Sequence, residues 1–218
     1  MYNEEALFKF YNEIKTDKGA RYKSWEHCYN YFNNNRKNPD LDILCLHLAF
    51  YLASWGMYRG SSFLLQKDYL VHMPVVKILL NDKYNKLWGC TVNELLEDDI
   101  INLVLEVKDK IIEAYKMQIN CKIATDTLIT KIMMGTFGCV PAYDRYFIVG
   151  VKLENTAISR FNKESIKQLA NFYIKNEKKL EITRLKINEN GIEYPQMKIL
   201  DMYFWQIGFD LDKKKLNK

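Results

Sequence analysis

Apolar residues recur at intervals of three and four along most of this chain, which is the period of an amphipathic α-helix. The pattern predicts a first helix over residues 4–15, broken at Gly19, and a second helix over residues 22–32. Residues 40–58 are apolar on nearly every side, which is typical of a helix at the centre of a bundle. Polar residues interrupt this stretch, so we do not expect it to span a membrane.

The rest of the chain predicts further helices, at residues 75–81, 92–117, 126–136, 143–149, 163–180 and 195–209. Thr91 and Glu94 have the spacing of a capping box and should introduce the longest of them. One segment allows a second interpretation, because Asn190-Gly191 is a turn signal that could join short strands at residues 182–187 and 192–194.

We therefore expect an all-α fold, an irregular orthogonal bundle of about eight to ten helices with a single core. Residues 1–218 should form one helical domain, with a frayed basic tail at residues 212–218. A small β-hairpin near residues 182–194 is the alternative for that segment.

Composition agrees with this prediction and limits the function. The chain has only 9 Gly and 4 Pro, whereas all-β folds need many turn residues. Its five cysteines are scattered without a C-x-x-C pair, which favours reduced thiols and a cytoplasmic location. The polar, acidic start of the chain is unlike a signal peptide. A net charge of +5 permits nucleic-acid binding without requiring it.

Motifs of the common enzyme classes are missing from the sequence. It has no phosphate-binding loop, no dinucleotide fingerprint and no nucleophile elbow. The three histidines lie far apart, and none has a partner at metal-ligand spacing. We therefore expect no metal and no cofactor.

Three segments carry candidate site residues, and the first follows the apolar central helix. It contains Trp55, Arg59 and Ser61. Arg59 could bind a phosphate or carboxylate near the start of the next helix, where Ser61 offers a further donor. The alternative is a helix that ends at Gly60, with Arg59 bonded to its terminal carbonyls.

The second segment, residues 130–147, ends a helix at glycine, passes through Pro141 and reaches Asp144 at the start of the next helix. Phe137, Gly138 and Pro141 resemble the connection that precedes the catalytic aspartate of helix-hairpin-helix DNA glycosylases. The resemblance implies that Asp144 stabilises positive charge on a sugar as a flipped base leaves.

This resemblance covers under a tenth of the chain. The family's hairpin glycines have no counterpart in residues 119–125, and Lys131 lies too close to the connection to match the family's lysine. Simple helix capping by Asp144 is the alternative. Arg145 and Tyr146, which follow it, are candidate binding residues.

The third segment, residues 194–208, places Asp201 and Trp205 on one helical stripe. Because Asp201 is flanked by apolar groups, it should pair with a cation, and Arg59 and Arg145 are candidate partners. Asp201 could therefore belong either to a structural ion pair or to a binding site.

The spacing of Arg21 and His27 resembles that of an Arg–His pair that helical ribonuclease toxins carry on one helix. A ribonuclease is therefore a minor alternative. The leading hypothesis is a helical module that binds nucleic acid or a protein, in a groove bordered by Arg59, Lys131 and Arg145. A glycosylase-like enzyme that uses Asp144 is the rival. A small-molecule pocket lined by Trp55, Tyr58 and Trp205 is the third possibility.

Overall fold

The computed structural model describes residues 2–119, 124–188 and 192–216. Within these ranges the chain forms ten α-helices, linked in part by four short 3₁₀ segments, and contains no β-strand. The expected all-α class is therefore confirmed. The helices are α1 (Glu4–Thr16), α2 (Lys23–Asn35), α3 (Leu41–Ser54), α4 (Met73–Leu79), α5 (Asp98–Ile119), α6 (Asp126–Thr136), α7 (Arg145–Leu153), α8 (Lys163–Lys175), α9 (Glu177–Asn188) and α10 (Gln196–Leu216).

One contiguous cluster of buried apolar side chains draws on all ten helices. The central helix α3 contributes Leu44, Leu48 and Leu52, none of which has any solvent-exposed surface. Of the helices in the described part of the chain, none is both long and apolar enough to cross a membrane.

Helix α3 ends at Ser54, about one turn before the predicted end at residue 58. Gly56 adopts a positive φ of 73°, which glycine tolerates without steric cost. The backbone N–H of Met57 then donates to the carbonyl of Leu52 at 2.9 Å and closes the helix end. Gly56, and not Gly60, therefore stops the helix, and residues 55–59 are released to form a loop.

The capping box at Thr91 and Glu94 forms, but it does not begin the long helix. The Glu94 carboxylate accepts from the backbone N–H of Thr91 at 2.7 Å, and the Thr91 hydroxyl accepts from the N–H of Glu94 at 3.3 Å. These bonds cap a short 3₁₀ segment, Glu94–Leu96, and α5 starts only at Asp98.

Residues 163–180 form two helices rather than one, because the chain bends at Asn176 between α8 and α9. Helix α9 includes residues 182–187, so the first strand of the alternative β-hairpin is wrong. Residues 192–194 are not a strand either, and the turn at residues 190–191 lies outside the described residues.

Helix α10 continues to Leu216, so residues 212–216 of the predicted basic tail are helical. Asp212 fixes this last stretch to the start of α7: its carboxylate accepts from Arg145 at 2.5 Å and from the Tyr146 hydroxyl at 3.1 Å. Residues 217–218 lie outside the described ranges.

Helices α7 and α10 cross with their backbones in direct contact. A Cβ atom added to Gly150 would lie 1.9 Å from the carbonyl oxygen of Phe204, and one added to Gly208 would lie 2.0 Å from that of Tyr146. Only glycine fits at this distance. The crossing holds the first turn of α7 against the middle of α10, where Trp205 lies.

Candidate functional site

A cavity of about 530 Å³ lies where the loop after α3, helix α6, the first turn of α7 and helix α10 meet. This volume is within the range of small-ligand pockets, about 300–1,000 Å³. Its lining consists of Arg21, Ala53, Ser54, Trp55, Gly56, Met57, Arg59, Thr127, Lys131, Asp144, Arg145, Tyr146 and Trp205.

Most of the residues nominated from the sequence share this cavity, although they come from three separate segments. They are Trp55, Arg59, Lys131, Asp144, Arg145, Tyr146 and Trp205. Ser61 and Asp201 are not part of the lining, and neither is Tyr58.

Lys131 and Asp144 form a buried ion pair at the cavity. Lys131 Nζ lies 2.9 Å from Asp144 Oδ2, with side-chain exposures of 3% and 14%. The other carboxylate oxygen of Asp144 accepts from the backbone N–H groups of Tyr146 and Phe147, both at 3.1 Å. Asp144 therefore caps α7 and lines the cavity at the same time.

Two hydrogen bonds bring these charges together by fixing the connection to the side of α6. The Thr127 hydroxyl donates to the carbonyl of Tyr143 at 2.9 Å. The backbone N–H of Tyr143 in turn donates to the Thr130 hydroxyl at 2.8 Å. Asp144 is thereby held within reach of Lys131, which lies one residue after Thr130.

Two cations lie close to the indole ring of Trp55. Lys131 Nζ lies 4.8 Å from the centre of the indole ring, and the Arg21 guanidinium lies 5.2 Å from it. Such distances allow cation–π attraction. The indole N–H of Trp55 is buried and has no hydrogen-bond partner in the described part of the protein.

Tyr146 and Trp205 also line the cavity, although Trp205 is only 2% exposed. Their ring centres lie 5.2 Å apart at 76°, an edge-to-face arrangement. Trp205 is also 5.8 Å from Trp55 at 90°, so the aromatic surfaces of the cavity are in contact with one another.

Asp201 pairs with neither Arg59 nor Arg145, so that expectation is wrong. Its partner is Lys198, three residues earlier on α10, at 2.9 Å, and both side chains are almost fully buried. Burial lowers the pKa of Lys198, and the charge of Asp201 opposes that shift. Asp201 also accepts from the backbone N–H of Ala142 at 3.0 Å, which anchors the connection just before Asp144.

Thr127 was not nominated from the sequence, and Arg21 was considered only as a partner of His27, yet both line the cavity. Arg21 precedes α2, whereas His27 lies within it and outside the lining, so the two residues do not share a helix or the site. The buried pair of Lys198 and Asp201 was not predicted. Their i, i+3 spacing on one helix could have indicated it, because such residues are neighbours on the helix surface.

Ser61 and Tyr58 have other surroundings. Ser61 lies outside the cavity lining, and its neighbour Ser62 caps the following 3₁₀ segment by accepting from the N–H of Leu64 at 3.2 Å. The hydroxyl of Tyr58 lies 2.7 Å from Nε2 of the buried His72. The prediction that Tyr58 lines a pocket with Trp55 and Trp205 is therefore wrong for Tyr58: the two tryptophans line the cavity, and Tyr58 does not.

Positive charge dominates the cavity, because four cationic residues line it against the single carboxylate of Asp144. That carboxylate is engaged by Lys131, and Arg145 is paired with Asp212. Arg21 and Arg59 are exposed and are not paired with any carboxylate in the described ranges.

No protein-family model matches this chain, and searches of curated proteins and of solved structures find no significant match. Residues 120–123, which correspond to the family's hairpin but lack its glycines, lie outside the described residues, and the glycosylase resemblance stays a prediction. No group of three or more His, Cys, Asp or Glu side chains suited to a metal ion occurs within the described ranges.

Proposed function

We propose that this cavity binds a nucleotide and that the protein acts as a nucleic-acid-binding module. The observation that carries the proposal is the meeting of arginine side chains and aromatic rings in one concave site. Guanidinium groups bind phosphate through paired N–H donors, and aromatic faces stack on bases. A nucleotide is the common ligand class that presents both chemistries together.

The two arginines without a carboxylate partner, Arg21 and Arg59, are the expected phosphate ligands. They line the cavity together with Trp55, but both arginines are exposed whereas Trp55 is partly buried. A phosphate bound by these arginines would leave its base beside the partly buried ring of Trp55. The concave shape favours this ligand over the flat surface of a protein partner.

Binding of adenosine and cytidine monophosphates, followed by calorimetry and by tryptophan fluorescence, tests the proposal. Arg59→Gln should weaken binding about tenfold, the effect of losing one charge-assisted hydrogen bond. Arg36→Gln is the matched control, because Arg36 lines a separate groove against Trp88. If neither nucleotide binds, or if both variants lose affinity equally, the proposal fails.

The contact of Asp144 and Lys131 at the same cavity favours a second candidate, an enzyme that removes a base from nucleic acid. A carboxylate at this position could stabilise positive charge on a sugar as its base departs. Asp144→Asn keeps an oxygen to cap α7 but leaves the buried Lys131 without its carboxylate, which costs stability. Circular dichroism must therefore show that the variant is folded, and base release by the folded variant should be lost. Oligonucleotides with alkylated, oxidised or deaminated bases provide the assay, and the wild-type protein's failure to release any of them would exclude this candidate.

A further inference from the structure

We propose that the ligand is a single strand of nucleic acid rather than a free nucleotide, and that the strand continues from the cavity along a ridge formed by Arg145, Tyr146, Phe209 and Lys213. This inference rests on the proposed nucleotide site. It adds the form of the partner and the path that the partner takes over the surface.

The first part of the ridge is a row of side chains on α10. Trp205, Phe209 and Lys213 follow one another at four-residue intervals and so lie on one helix face. The rings of Trp205 and Phe209 are stacked, with centres 4.7 Å apart at 24°. Lys213 Nζ lies 4.6 Å from the Phe209 ring. Because Trp205 lines the cavity, this row leads directly out of it.

The second part of the ridge is the start of α7, which runs beside this row. The ring of Tyr146 lies 5.3 Å from that of Phe209, and the Arg145 guanidinium lies 5.4 Å from the ring of Tyr146. The Arg145 side chain is 70% exposed although it is paired with Asp212. Only one of its terminal nitrogens contacts Asp212, so other N–H donors of the guanidinium remain for a phosphate.

Alternating aromatic and cationic side chains match the repeating chemistry of one nucleic-acid strand. Bases stack on rings such as Tyr146 and Phe209, while phosphates contact cations such as Arg145 and Lys213. A duplex buries its bases by pairing and offers this ridge only its phosphates. A free nucleotide would fill the cavity and leave the ridge unused.

Fluorescence anisotropy separates these ligands. The three labelled probes are a single-stranded DNA of about twelve nucleotides, the same sequence as RNA, and the corresponding DNA duplex. This length is within the site sizes of known single-strand binders. We expect one of the single strands to bind at least about tenfold more tightly than the mononucleotides and than the duplex. A preference between RNA and DNA would report a contact to the 2′-hydroxyl.

Two variants test the path of the strand. Lys213→Gln should weaken single-strand binding several-fold. It should also reduce the slope of log affinity against log salt concentration by about one, the change expected when one phosphate contact is lost. Phe209→Leu, which keeps apolar packing, should cost about tenfold by loss of stacking. Lys178→Gln, on the exposed surface of α9, is the matched control. Lys213→Gln should leave mononucleotide binding unchanged, because Lys213 does not line the cavity.

The outcomes are distinguishable. If mononucleotides bind but the single strand binds no more tightly, the strand inference is overturned and the nucleotide site stands. The same conclusion follows if the duplex binds as well as the single strand or if Lys213→Gln behaves like Lys178→Gln. If mononucleotides and strands both fail to bind, the proposed function itself is lost.

Discussion

The ammonium group of Lys131 lies 2.9 Å from a carboxylate oxygen of Asp144, and both side chains are largely removed from water. Removing the solvation shells of two charges is costly unless each charge has a close partner. Here the Asp144 carboxylate has a second set of donors at the start of α7, and Lys131 faces the Trp55 ring. The pair is therefore both a structural element and part of the cavity surface.

Lys131→Met should lower the free energy of unfolding by about 3 kcal/mol, because it leaves the Asp144 carboxylate shielded from water without its cation. Urea unfolding followed by circular dichroism measures the change. The control is Lys83→Met, which breaks the exposed pair with Glu106 and should cost less than about 1 kcal/mol.

Adding Asp144→Asn to Lys131→Met provides a further check. The double variant should lose less free energy of unfolding than the two single variants lose together, because it contains no uncompensated charge. Strict additivity of the two single effects, or an equal cost for Lys131→Met and Lys83→Met, would show that burial does not couple these side chains.

Substitution of the crossing glycines should destabilise the protein although alanine is the better helix former. Gly150→Ala and Gly208→Ala each place a methyl group about 2 Å from a backbone oxygen of the facing helix. We expect losses of about 2 kcal/mol or more, well above the roughly 1 kcal/mol that alanine gains in helix propensity. Thermal and urea unfolding measure both effects.

Gly19→Ala is the control for this pair, since its added Cβ would meet Asp17 at an ordinary contact distance of 3.4 Å. It should change stability by no more than about 1 kcal/mol. An unchanged or increased stability of Gly150→Ala would contradict the direct backbone contact between α7 and α10.

Local chemistry made much of the fold predictable from the sequence. The bounds of α6 follow from its apolar pattern, and Asn162 caps α8 through the N–H of Ser165. Helix capping by Asp144, given above as the alternative to a catalytic role, is confirmed. These features depend on residues within one turn of each other, so neighbouring positions contain the information.

Features that depend on packing between segments were harder to predict. Lys131 and Asp144 are thirteen residues apart, and they meet because side-chain hydrogen bonds from Thr127 and to Thr130 hold the connection against α6. Asp201 was expected to find an arginine, but Lys198 on its own helix is closer. Arg21 reaches the cavity only through the position of the loop before α2.

Asp201 should prove necessary for the order of the connection before Asp144. Asp201→Leu removes the acceptor of the Ala142 N–H and leaves Lys198 buried without its partner, so a loss of about 3 kcal/mol or more is expected. Combining it with Lys198→Met removes the unmatched charge and should recover part of that stability.

Amide hydrogen exchange distinguishes the two roles of Asp201. The Ala142 amide should exchange faster in both Asp201→Leu and the double variant, because neither retains its acceptor. Unchanged protection of this amide in the double variant would mean that the connection does not depend on the hydrogen bond from Ala142.

The buried His72 should make stability depend on pH below neutrality. Its two ring nitrogens lie 2.7 Å from the Tyr58 hydroxyl and 2.6 Å from the Tyr115 hydroxyl. Burial lowers the pKa of His72 to about 3, from an ordinary value of 6.5. A neutral ring has one donor and one acceptor, so protonation would remove the acceptor that one tyrosine hydroxyl uses.

Because the folded pKa of His72 lies below the unfolded value, the unfolded chain binds more protons between these two pH values. Stability is then greatest above about pH 6.5 and falls as the pH decreases, by at most about 1.4 kcal/mol per pH unit from this group. Urea unfolding between pH 7.5 and about pH 5 should give a steeper loss for the wild type than for His72→Gln. His27→Gln, at an exposed position, is the control and should keep the wild-type slope of unfolding free energy against pH. Parallel slopes for the wild type and His72→Gln would show that His72 does not resist protonation in the folded protein.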